Sequence, residues 1–388
     1  MKILVIGTID NKGGAAQISW ELRNRLKTDG HTVNTFVRYK YSNEPDVFVI
    51  PRKRYQDWLV KIFANDLIFA GSSFILNSKE YKGADIIHCH NLHSNFFNLK
   101  DLIRMSKEKP IIWTLHDIWA ITGFASDSTT LKKPNKKRFL LYFWDNTRHL
   151  LKAKKKIYDK IKIHIVAVSE WLKNELENSI LKNQNISRIY NGVDVEIFKP
   201  SDKNFVRREL GLPINKKIIA LGIKGWLDSR SIIESYKDQN DIFFLAIGHS
   251  NIDTSNKNYV SIGYIEKREL LSKYLSASDI FLYPTQGDTF GLICAQSSAC
   301  GTPVVTYDTD ALPEIISHTQ TGYVAKRGDL EDIRVGIEYI LNLPLNDYTA
   351  MCSKVRQVAI EKFSKEKMYA QYLKLYKKIL ASRKINIL

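Results

Sequence analysis

Cysteine is scarce: Cys89, Cys294, Cys300 and Cys352 are scattered through 388 residues with no Cys-x-x-Cys pair. This excludes a disulfide framework and a zinc ribbon and points to a reducing compartment. Long hydrophobic runs are missing as well. The longest uncharged stretch, Thr289–Tyr307, is broken by Gly291, Gln296, Ser297, Ser298, Gly301 and Pro303, so it cannot span a bilayer. Met1–Gly7 turns polar too soon for a signal peptide and reads as a first buried strand. No Gly-x-Gly-x-x-Gly fingerprint is present, which disfavours a dinucleotide oxidoreductase. With 19 glycines, 10 prolines and 44% hydrophobic residues, the chain is neither collagen-like nor disordered. Its length exceeds what one core usually supports, so two domains are expected.

Acidic residues are outnumbered, 41 against 58 basic, leaving a net charge of +17. Nearly all of it sits in two segments. Between Leu131 and Lys162, twelve Lys and Arg face only Asp145 and Asp159; from Lys365 to Leu388, seven face only Glu366. The first segment surrounds the run Phe139–Trp144, a combination suited to the headgroup region of an anionic leaflet. Two other readings stay open. Phe139–Trp144 could pack inward beneath solvated lysines, or the aromatics could stack on single-stranded nucleic acid. No recognisable nucleic-acid-binding signature accompanies them, so no nucleic-acid partner is expected. The expectation is a cytoplasmic protein resting on the inner face of the membrane through 131–162 and 365–388.

Apolar runs alternate with helical periodicity along the whole chain. Strands are expected at Ile3–Ile6, Val33–Val37, Asp85–Cys89, Ile111–Leu115 and His164–Val168, with a helix at Ala15–Leu26. A pause at Tyr190–Pro200, carrying the turn signal Asn191-Gly192, reads as a linker. Strands then resume at Ile218–Ile223, Ile242–Ile247, Ile280–Tyr283 and Pro303–Thr306, with helices near Lys267–Ala277 and Phe290–Ala299. Such alternation predicts two doubly wound α/β domains with parallel sheets, 1–190 and 201–363, facing a central cleft. A last helix in 364–388 places Met368, Tyr372, Leu375, Tyr376 and Ile379 on one stripe, so it should dock on another surface.

The most informative segment is Pro284–Val305. A strand ends, a polar turn carries Asp288, and a helix opens near Phe290-Gly291-Leu292, offering free amides to a phosphate or a sugar. Asp288 and Gln296 are eight apart and fall close to one helix face. His116 follows the strand Ile111–Leu115, and Gly13-Gly14 precede the first helix. His88, His90 and His93 share a strand face and the loop beyond it; zinc would need a fourth ligand that is not evident, and an acceptor-side wall is the favoured reading.

These residues resemble the retaining nucleotide-sugar glycosyltransferases of family 4, which have the two-domain GT-B architecture. The resemblance rests on Phe290-Gly291 and Ala299-Cys-Gly-Thr-Pro-Val-Val305, and extends to Gly13-Gly14, Asp85–Asn91, Trp113–Asp117, Trp119, Thr122-Gly123, Asn191–Asp194 and Thr321-Gly322. Leu115–Asp117 and His88–His93 look most like members that build capsule, exopolysaccharide or O-antigen repeats. The resemblance implies that Asp288 stands in for the first hallmark glutamate beside the donor sugar, and that Gln296 stands in for the second, on the ribose. His116 would contact the donor sugar. Lys224 and Arg230, six apart with the family's residue types exchanged, would clamp the diphosphate, which the Gly13-Gly14 loop also approaches. Asp310-Ala311-Leu-Pro-Glu314 replaces a Gly-Gly-x-Pro-Glu loop, bearing on donor choice. Neither cofactor nor metal is implied. The partners implied are a nucleotide-diphosphate sugar and a saccharide acceptor, polyprenyl-diphosphate-linked in some members. The final helix would cross back to the first domain. A non-catalytic, glycosyltransferase-like subunit is the alternative raised by Asp288 and Gln296.

Overall fold

The computed structural model describes residues 1–51, 55, 56, 58, 59, 67, 72–129, 146–222, 224–248 and 254–385. The chain divides into two compact units, one made of Met1–Tyr190 with Met368–Leu388 and the other of Asn191–Lys367.

The first unit is built on a seven-stranded sheet: β1 (Lys2–Ile9), β2 (Thr32–Tyr39), β3 (Val47–Val49), β4 (Ile86–Cys89), β5 (Ile111–Leu115), β6 (His164–Ala167) and β7 (Asn185–Arg188). The spatial order is β3-β2-β1-β4-β5-β6-β7, and neighbouring strands run parallel. Every residue of β4 and β5 is buried, as strands covered by helices on both faces must be. The second unit repeats the plan with β8 (Lys217–Leu221), β9 (Ile242–Ala246), β10 (Tyr259–Ser261), β11 (Ile280–Tyr283), β12 (Val304–Tyr307) and β13 (Gly322–Ala325). Its order is β10-β9-β8-β11-β12-β13, again parallel. The expected strands are present with ends shifted by at most three residues, β5 and β11 with none. The edge strands β3, β7, β10 and β13 escaped the sequence reading because, only partly buried, they lack the continuous apolar run of the equally short central strands.

Residues 191–200 are not a free linker. Val193 and Phe198 are buried, Val193 bridges Ser364, and Arg356 donates to the carbonyls of Val195 and Phe198. The last helix, Lys365–Ile385, does bury its stripe: Met368, Tyr372, Leu375 and Tyr376 are sequestered within the first unit. The first basic segment needs correction. Residues 131–145 of it, including Phe139–Trp144, lie outside the described residues, and Lys154 is not a surface charge. Its ammonium is fully buried over the Trp119 ring at 3.6 Å and donates to the carbonyls of Trp119 and Thr122. Lys154 pins the turn after His116 from beneath. Among the described residues no helix is long and apolar enough to cross a membrane.

Candidate active site

In open parallel sheets, ligands gather outside the carboxyl ends of the strands where the strand order reverses. That point lies between β1 and β4 in the first unit and between β8 and β11 in the second. The sequence-predicted residues lie on the loops and helices that follow β1, β5, β8 and β11.

In the second unit, β8 is followed by Lys224 and by Gly225, which begins the helix Trp226–Ser235. Gly225 has φ 79°, and a Cβ there would come within 2.1 Å of the Pro284 carbonyl oxygen, so only glycine lets this turn pack against the end of β11. Lys224 Nζ then reaches Asp288 Oδ2 at 2.9 Å. Tyr283, the last residue of β11, donates its hydroxyl to the same oxygen at 2.8 Å. The other carboxylate oxygen accepts the amides of Phe290 and Gly291 at 3.2 and 3.0 Å, tying Asp288 to the start of the helix Leu292–Ala299. Burial alone would raise the Asp288 pKa; Lys224, Tyr283 and the amide donor hold it below the usual carboxylate value. The Tyr283 hydroxyl, buried beside this anion, is pushed up and stays protonated. Lys224 remains half exposed and can reach a ligand.

Gln296 lies about one turn inside the same helix. It is 6% exposed, and among the described residues its side-chain amide forms no hydrogen bond. Phe290 is buried against Phe363 at 5.8 Å, Gly291 caps the helix, and Leu292 is its first residue, half buried. Arg230 sits exposed in the second turn of the helix Trp226–Ser235. Asp310 adopts φ 47°, so the loop keeps a left-handed residue although the glycines are gone. The Ala311 amide next to it donates to the Asp288 carbonyl.

In the first unit, Gly13 begins the helix Gly14–Thr28 with φ 92° after β1. Beside it, the ends of β4 and β5 carry the histidines. His88 is buried between partners: Nδ1 lies 2.6 Å from the Tyr376 hydroxyl and Nε2 2.8 Å from the Thr114 hydroxyl, which is itself 2.9 Å from Tyr372. Both ring nitrogens are committed to the last helix and β5. His88 is therefore structural, which removes it from any acceptor-side wall, and among the described residues no group of three metal-ligating side chains occurs. His90 Nδ1 lies 3.0 Å from His116 Nε2, with the rings stacked at 5.3 Å. Burial lowers the pKa of His88 to about 3 and of His116 to about 4, and that of His90 well below the usual imidazole value, so the cluster is neutral at pH 7. His93 leaves this group and pairs with Asp117 at 3.0 Å.

Sequence reasoning missed Gly225 and Tyr283 as site residues. A glycine straight after a strand, and a tyrosine closing the next strand, were the available signals.

A family model described as Glycosyltransferase Family 4 matches residues 12–197, and one described as Glycosyl transferases group 1 matches 254–360. An uncharacterised protein of the cps region of Klebsiella pneumoniae is 25% identical over 94% of this chain and 97% of its own length. The putative colanic acid biosynthesis glycosyl transferase WcaC of Escherichia coli is 22% identical over 98% of this chain and 100% of its own. The N-acetyl-alpha-D-glucosaminyl L-malate synthase of Bacillus anthracis is 25% identical over 57% of this chain and 61% of its length, under two thirds of that relative. Among solved structures, a sucrose-phosphate synthase from Thermosynechococcus elongatus superposes with TM-score 0.74 at 18% identity, covering 98% of this chain and 100% of the other. Anabaena HepE in complex with UDP-glucose gives 0.67 at 14% identity, covering 97% and 99%. The paired parallel sheets, the motif blocks at their reversal points and the two matching family models agree: the chain belongs to the family 4 glycosyltransferases of GT-B fold.

Proposed function

We propose that the chain is a retaining, metal-independent glycosyltransferase that moves a sugar from a nucleotide-diphosphate sugar to a saccharide acceptor in cell-surface polysaccharide synthesis. The observation that carries this reading is Lys224 held on Asp288 at the start of the helix that carries, one turn further in, the buried Gln296, whose amide has no partner among the described residues. A lysine ammonium has three donors, so Lys224 can keep Asp288 and still hold a phosphate oxygen. With Arg230 it neutralises the charge that grows on the departing diphosphate, the part a metal plays in other phosphate chemistry. Gln296 takes the ribose hydroxyls, and the Gly13-Gly14 loop approaches the diphosphate. Asp288 and His116 are assigned to the donor sugar. His116 is neutral, so it offers a hydrogen bond rather than charge. No protein nucleophile is assigned; the departing phosphate assists the acceptor hydroxyl.

The relatives from a cps region and from colanic acid biosynthesis favour a polysaccharide acceptor. A lipid-linked acceptor fits the exposed basic residues that remain on 146–162 and the last helix, such as Lys155, Lys156, Lys377 and Lys378. HepE binding UDP-glucose makes UDP-sugars the first donors to try. The direct test is calorimetric titration with UDP-, GDP- and dTDP-sugars. Binding of one class is expected; binding of none would favour the non-catalytic subunit, the reading that replacement of both hallmark glutamates supports.

A further inference from the structure

A pocket of about 250 Å³ lies in the first unit beside the Gly13 loop, lined among others by Thr8, Lys12, Gly14, Asn91, His93 and His90. Drug-sized ligands need roughly 300 Å³ or more, so its scale suits a single sugar ring. The His90 side chain is buried to 4% exposure. Its Nδ1 is engaged with His116, and among the described residues Nε2 takes no hydrogen bond. A ring nitrogen without a partner on a pocket wall is open to a polar group of a ligand.

The surrounding groups hold this ring in place. His88, locked at both nitrogens by Tyr376 and Thr114, lies with its ring 4.3 Å from that of His90. Trp113 Nε1 donates to the His90 carbonyl at 2.7 Å, and the His90 amide donates to Ile6. A neutral imidazole carries one N–H and one bare nitrogen. The single bond between His90 and His116 therefore has two arrangements. When His116 Nε2 donates, His90 presents Nε2–H to the pocket and His116 Nδ1 is bare. When His90 Nδ1 donates, its Nε2 is the bare nitrogen and His116 Nδ1 carries the proton.

We propose that His90 is a relay: a positioning residue for His116 whose pocket-facing Nε2 hydrogen-bonds a hydroxyl oxygen of the acceptor sugar. Occupancy of the pocket then sets which nitrogen of His116 holds its proton. A hydroxyl that accepts from His90 Nε2–H leaves the His90 Nδ1 bare, so His116 must donate through Nε2 and keeps its own buried Nδ1 bare. No proton is gained or lost, and both rings stay neutral. The inference rests on the glycosyltransferase reading for the identity of the pocket's ligand, while the His90–His116 coupling stands on geometry alone.

The test uses ring ¹⁵N spectra of the histidine-labelled full chain, which has nine histidines. Methyl glucoside, methyl galactoside, N-acetylglucosamine and inorganic phosphate serve as probes. Asn replaces the Nδ1 position of histidine and Gln the Nε2 position, so His90→Asn and His90→Gln divide the two faces. In the wild type, at least one sugar should move the His90 and His116 ring signals together. His90→Asn should keep the His116 tautomer and weaken sugar binding about tenfold, the scale of one lost hydrogen bond. His90→Gln should keep sugar binding and leave His116 with mixed tautomers. An unchanged His116 spectrum in His90→Gln, or ring shifts with phosphate only, would overturn the proposal; so would ring signals indifferent to every sugar. Absent nucleotide-sugar binding would instead sink the transferase reading and leave the His116 spectra of the variants as they are.

Discussion

The two reversal points share a topology and differ in chemistry. β1 and β8 hold the same place in their sheets, as do β4 and β11, and a glycine with positive φ starts the helix after β1 and after β8. Around the first point, however, the buried polar groups are neutral imidazoles and hydroxyls bonded to one another. Around the second they are an ion pair, a helix start and a half-exposed lysine. The contrast teaches that the fold fixes where ligands meet the chain, whereas burial decides whether a site works by charge or by hydrogen-bond direction.

Acid should separate the two most strongly. The folded His88, His90 and His116 have pKa values depressed below the unfolded value of about 6.5. The unfolded state therefore binds more protons below that pH. Stability is full above it and falls as pH drops toward 4, by about 1.4 kcal/mol per unit for each histidine that titrates only on unfolding. The depressed pKa of Asp288 contributes stability above about 3.9, lost only as pH falls through its folded value. Hydrogen exchange at pH 5 against pH 7 should thus show β4 and β5 losing protection while β11 and β12 keep theirs. Equal loss in both would break the comparison.

Next in size is the glycine pair. A Cβ at Gly13 would meet nothing within 4 Å, whereas at Gly225 it would strike the Pro284 carbonyl. Urea denaturation should find Gly225→Ala costing about 4 kcal/mol, from backbone strain plus overlap, and Gly13→Ala about 2 kcal/mol, from backbone strain alone. The smallest contrast is between single polar groups. Asp288→Ala removes a helix cap and the Lys224 partner and should cost about 2 kcal/mol. Tyr376→Phe strips one buried hydrogen bond from His88 and should cost about 1 kcal/mol.

Much of this organisation was legible in the residues. Paired hydrophobic strands and the Phe290–Val305 block gave the fold and the place of Asp288, because buried parallel strands read as continuous apolar runs and a strand-turn-helix leaves punctuation. Partnerships were less legible. Nothing in the spacing of His88 announces that Tyr376, nearly three hundred residues away, would occupy one ring nitrogen, and nothing in a run of lysines marks Lys154 as buried under Trp119. Long-range packing decides both, and it outweighs local composition. The same holds for His116, whose strand-end position was readable while its bond to His90 was not.

The central claim is that the Lys224–Asp288–Gln296 constellation binds a nucleotide-diphosphate sugar. Calorimetry of the wild type beside Lys224→Ala and Gln296→Ala tests it most directly, using the donor that the wild type binds. The account predicts affinity lower by about tenfold in each variant, one charge-assisted or buried hydrogen bond apiece, with the fold unchanged by circular dichroism. Wild-type affinity in both variants would contradict it.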